Sequence, residues 1–204
     1  MRLKQLMTAS AAVLLASTTV HASELRMATA APEKTPWGKW FNDIAAHVGE
    51  LSGGKLKIQP YFSSQLGDEQ TVIRQSVRGR IDMSGQSNTA TSLVVPEFAL
   101  LAAPYLWDSP AHADCVFDNH VEPIFGPMLQ AKGLKLLNYV EVGHMILFSR
   151  KPIKAPADLS AYKIRVAPTK ASVGFFESVG ANGVPLNVLD AMPTLKTGGV
   201  NAMT

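Results

Sequence analysis

From residue 24 the chain alternates between segments of hydrophobic period two and segments of helical period, and few folds accommodate that order. ELRMAT sets Leu25 and Met27 against polar neighbours, as a half-buried strand does. Thr35-Pro36 then supplies an N-cap with proline at the first helical position. Trp37, Phe41, Ile44, Val48 and Leu51 recur at helical spacing until Gly53-Gly54 stops the run. KLKIQPYF returns to period two through Leu56, Ile58 and Phe62. Asp68 caps a helix reaching Arg78, and IDMSG is a third strand. Strand, helix, strand, helix, strand predicts an α/β layer on a mostly parallel sheet.

The same reading continues less regularly. Residues 84–110 are loop-rich, with QSNTATS as an uncharged polar loop after a strand, where α/β proteins bind ligands. Ser109 caps a helix over about 110–118, and a second helix spans about 122–132. LKLLNYV and HMILFS read as strands, DLSAY as a helical turn and KIRVA as a strand. Thr169 caps a helix to about Val179, and the last segment is a short helix broken near Pro193 before a further strand begins.

Residues 1–22 read as a secretory signal: Arg2 and Lys4 precede a modestly apolar stretch, and Val20-His21-Ala22 offers small residues for cleavage after Ala22. They carry two of the 19 basic residues and none of the 16 acidic ones, so the remainder is close to neutral. No basic run interleaves with aromatics, which argues against nucleic acid. No later segment is long and apolar enough to cross a bilayer, so no direct membrane insertion is expected after cleavage. Cys115 is the single cysteine, so no internal disulfide supports the core.

Chemistry-bearing motifs are sparse. His112, Asp114, Cys115, Asp118 and His120 fall within nine residues; His112 and Cys115, three apart, can share a helical face, but the others lie on different faces or past the helix end. Neither a phosphate loop nor a nucleophile elbow nor a paired metal motif occurs, so the sequence gives no positive sign of an enzyme or a cofactor. A secreted hydrolase or metal enzyme using the His112–His120 cluster remains the alternative of a different class. Arg165 is more informative. It lies between Ile164 and Val166 on a strand, just before the helix that Thr169 caps. The free N–H groups of that first turn favour an anion, and a guanidinium can grip a carboxylate bidentately.

Five stretches resemble one family in order and spacing: SGGKLKIQPYFSSQLGDE, VRGRIDMSGQS, VVPEFALLAAPYLW, KPIKAPADLSAYKIRVAP and SVGANGVPLNVLDAM. These are similar to the solute-binding proteins of tripartite ATP-independent periplasmic (TRAP) transporters, the DctP-like receptors. The resemblance implies a two-lobed, type II-like periplasmic binding fold. Residues 23–142 would form the first lobe and 143–204 the first part of the second, with the fold incomplete at its C-terminus. It implies a periplasmic receptor, not an enzyme, that captures a small organic acid between its lobes and delivers it to a TRAP membrane carrier. A receptor presenting its ligand to a sensor kinase is the related alternative.

The resemblance also assigns residues. Arg165 matches the family's carboxylate-binding arginine. Ser87 stands where sialate binders carry glutamate, and with Gln86 it offers neutral contacts. Met145 stands where some members carry a second arginine. Val188 replaces a cleft aromatic and Met192 a tyrosine; Thr169 joins the candidates from the pattern alone, as the cap of the helix turn beside Arg165. These departures predict a smaller or partly apolar monocarboxylate.

Overall fold

A computed structural model describes residues 23–204, so the expected signal segment lies outside the described residues. Two sheets organise the chain. Strands β1 (Ser23–Thr29), β2 (Leu56–Tyr61) and β3 (Met83–Gly85) form the first, all parallel, in the order β2-β1-β3. Helix α1 (Pro36–Leu51) connects β1 to β2, and helix α2 (Glu69–Val77) connects β2 to β3. Strand alternation fixes the layering. Met27 faces a cluster with Phe41, Ile58 and Phe62, on which Trp37, Ile44 and Val48 of α1 pack. Ala28, one residue on, points to the other face and meets Val72 of α2 and Ile81. Helices therefore cover both faces of this sheet.

Between the sheets, Ser87 caps a short helix α3 (Asn88–Thr91), a 3₁₀ segment covers Pro96–Ala102, and helix α4 runs from Pro110 to Gln130. Val95, Phe98 and Leu101 pack on Val121, Phe125 and Leu129 of α4 as a separate core. The second sheet orders β4 (Phe148–Ser149), β7 (Ala202–Met203), β5 (Lys163–Val166) and β6 (Asn182–Pro185) as β4-β7-β5-β6. All its pairings are parallel except β4 with β7. Ile164 and Val166 are fully buried against Phe176 of helix α5 (Lys170–Ser178). Helix α6 (Val188–Thr197) leads to β7.

The α/β expectation and both capped helices of the first sheet stand, with Thr35 and Asp68 as the N-caps. Four expectations are corrected. The two helices placed at 110–118 and 122–132 are one 21-residue helix containing Pro123 and Pro127. An interior proline costs roughly 3 kcal/mol, but Val121, Phe125 and Leu129 recur every four residues on one buried stripe and hold the helix across it. The loop expected at 86–92 contains α3, because the Ser87 hydroxyl accepts from the Ala90 N–H and closes a helical turn. LKLLNYV forms no strand and HMILFS pairs only at Phe148 and Ser149. The apolar alternation of Leu134, Leu136 and Tyr139 marks packing against the α4 core rather than a ladder. Finally, α6 continues through Pro193, anchored by the fully buried Ala191 and ended by Gly198 in the left-handed conformation. The expected division at residue 142 falls in the irregular stretch 134–147, between the two sheets.

Candidate functional site

Parallel strands expose their carboxyl ends and the following helix N-termini on one side, and ligands bind there. Both sheets turn that side toward a common cavity of about 30 Å³. From the first sheet come Ala30 after β1, Ser64 after β2, and Thr89 after β3. Asp68, Glu69 and Gln70 come from the start of α2. From the second sheet come Arg165 near the end of β5, the Ala167–Thr169 turn, and Asn187 with Val188 at the start of α6.

The first wall is built by an unusual turn. Ser63 and Ser64 both sit at positive φ (49° and 58°), and their N–H groups donate to Ala31 and Thr29. Gly67 follows at φ 114°, where a Cβ would also lie 2.7 Å from the Thr71 methyl. The chain then enters α2, capped by Asp68 through the Thr71 N–H at 2.8 Å. Burial raises the Asp68 pKa, but the side-chain and backbone hydrogen bonds of Thr71 outweigh it. Asn187 and Arg74 add to them, and the carboxyl is held below its ordinary value.

Glu69 is held through both of its carboxylate oxygens. Its Oε1 accepts from the Ser87 N–H at 2.8 Å and its Oε2 from the Ser87 hydroxyl at 3.1 Å. Since that hydroxyl proton is committed to Glu69, the Thr89 hydroxyl donates to Ser87 Oγ at 2.9 Å. One serine thus caps α3, ties α3 to α2 and fixes the rotamer of a cavity-lining carboxylate.

Arg165 forms the opposite wall and is 7% exposed. Its Nε donates to the Leu186 carbonyl at 3.0 Å and its Nη1 to the Thr204 carbonyl. Nη2 makes no hydrogen bond among the described residues. Burial lowers the guanidinium pKa, and the Glu69 carboxylate across the cavity offsets part of that. No ion pair within 4.0 Å joins Arg165 to an acid among the described residues, so the two charges face each other over a gap. A buried guanidinium without a counter-ion in contact is costly, and the cavity is where an anion would relieve it.

Of the six residues proposed from sequence, Arg165, Thr169 and Val188 line this cavity. Thr169 Oγ1 accepts from the Ser172 N–H and so is partly occupied as the α5 cap. Ser87 acts through Glu69. Gln86 has both side-chain amide atoms buried with no partner among the described residues, beside the site but outside its lining. Met145 is 67% exposed in the irregular stretch and does not reach the cavity. Sequence reasoning missed Glu69, Ser64 and Asn187. The available signal was positional: each follows a strand of the parallel sheets at its carboxyl end. His112 lies elsewhere, paired with Asp108 at 3.2 Å, and Cys115 is exposed.

Residues 27–204 match the family described as bacterial extracellular solute-binding protein, family 7 (DctP). The chain is 35% identical over 167 residues to the 2,3-diketo-L-gulonate-binding periplasmic protein YiaO of Escherichia coli, covering 80% of this chain and 49% of that protein. A TRAP periplasmic solute-binding protein from Bradyrhizobium, solved with α/β-D-galacturonate, superposes with a TM-score of 0.83 at 28% identity. The match covers 89% of this chain and 61% of that one. A counterpart from Sulfurospirillum deleyianum, solved with succinate, gives 0.81 at 27% identity over 88% and 58%. The chain spans about half the length of the curated relatives it matches. With the family matched over nearly all described residues and the two-sheet fold shared with its solved members, the chain belongs to the DctP family of extracellular solute-binding proteins.

Proposed function

We propose that this protein is a periplasmic receptor that captures a small organic acid between its two sheets and delivers it to a TRAP membrane carrier. The observation that carries the reading is Arg165: a buried guanidinium at the carboxyl end of a parallel strand, on the cavity, with no acid in contact among the described residues. A ligand carboxylate supplies the missing counter-charge, and the planar fork fixes its orientation. Thr169 at the head of α5 adds polar neighbours, and Val188 an apolar one. Secretion through the residue 1–22 segment, the carrier subunits and the lobe division at residue 142 are part of the same proposal. The names of relatives, which bind diketogulonate, galacturonate or succinate, support the carboxylate requirement.

A thermal-shift screen of organic acids on the full-length protein tests this. At least one acid raises the melting temperature of the wild type, and Arg165→Ala loses the response. An acid response that survives Arg165→Ala contradicts the assignment.

A further inference from the structure

The charge pattern of the cavity says more than that an acid binds. Arg165 is the one basic residue in the lining among the described residues, and Asp68 and Glu69 stand across from it. A ligand carboxylate on Arg165 cancels that positive charge. A second carboxylate would then meet two acids and no cation, in a setting where unpaired charge is expensive. Each Glu69 oxygen already accepts one hydrogen bond from Ser87 and keeps further lone pairs for a donor. Five neutral hydrogen-bonding side chains, Ser64, Gln70, Thr89, Thr169 and Asn187, share the lining. One ammonium group could not use all of these, whereas a run of hydroxyls can. We infer that the site takes a polyhydroxylated monocarboxylate and rejects dicarboxylates, with Glu69 as the specificity-determining residue. The inference rests on the reading of Arg165 as the carboxylate anchor and replaces the smaller, partly apolar acid expected from sequence.

The test is calorimetric titration of the full-length protein with gluconate and galacturonate, succinate, butyrate and glutamine. One of the two hydroxylated acids binds at least about tenfold tighter than the other three ligands, because a site built to bond hydroxyls discriminates strongly against analogues lacking them. In Glu69→Gln, which keeps an acceptor for the Ser87 N–H, that preference over succinate shrinks by about tenfold or more. Succinate, butyrate or glutamine binding the wild type as tightly as the hydroxylated acids overturns the inference and leaves the Arg165 anchor standing. So does an unchanged preference in Glu69→Gln. Failure of all five to bind removes the receptor reading and this inference with it.

Discussion

At the residue scale, the proposed function rests on two charges and one hydroxyl. Arg165→Lys is not a conservative change here, because a point charge cannot reproduce the fork that holds Leu186 and a ligand together. Leaving a buried charge pair incomplete costs on the order of 3–5 kcal/mol, so Arg165→Ala lowers acid affinity by two decades or more in a titration. Ser87→Ala removes the α3 cap and one of the two bonds orienting Glu69. It lowers stability by about 1 kcal/mol and, because the carboxylate loses its fixed rotamer, weakens ligand binding as well. Asp68 adds a pH dependence. Its carboxyl is depressed in the folded state, so it stabilises the fold above the unfolded value near about 3.9, and that contribution is lost as pH falls through the lower folded value. Asp68→Ala flattens the acid limb of the stability profile, measured by denaturation between pH 5 and pH 2. An unchanged limb would contradict this role.

At the element scale, close approach decides which positions tolerate change. Gly85 ends β3, and a Cβ there would lie 2.2 Å from Phe41 Cζ. Gly85→Ala forces the buried Phe41 ring to shift and destabilises by about 1–3 kcal/mol, read as a lowered denaturation midpoint. Elements whose signal is local were legible in the sequence. Thr35-Pro36 and Asp68 cap the helices they were expected to cap, and KIRV is the strand that buries Ile164 and Val166 while leaving Arg165 on the other face. What depends on distant partners was not. Nothing local tells Leu134, Leu136 and Tyr139 to pack on α4 rather than pair in a sheet, and nothing local lets α4 run through Pro123 and Pro127. The candidate site divides the same way. Arg165 and Thr169 are visible from a strand followed by a capped turn. Glu69 becomes a site residue only because Ser87, 18 positions away, orients it toward a cavity that the second sheet closes.

At the scale of the whole molecule, the cavity sets a mechanical requirement. A volume of about 30 Å³ holds roughly a water or two, far less than an organic acid with several substituents. In the proposed receptor the two walls therefore separate for entry and close again on the ligand. The ligand shifts that balance only through its greater affinity for the closed arrangement, and in this proposal a bound acid completing the Arg165 charge pair supplies that difference. Small-angle scattering of the full-length protein is expected to show a smaller radius of gyration with a binding acid than without, and no change in Arg165→Ala. The most direct measurement is a crystal structure of the full-length protein with a bound acid. Both oxygens of one ligand carboxylate lie within hydrogen-bonding distance of the Arg165 guanidinium, between the carboxyl ends of the two sheets. An acid held elsewhere, with Arg165 making no contact to it, would contradict the account.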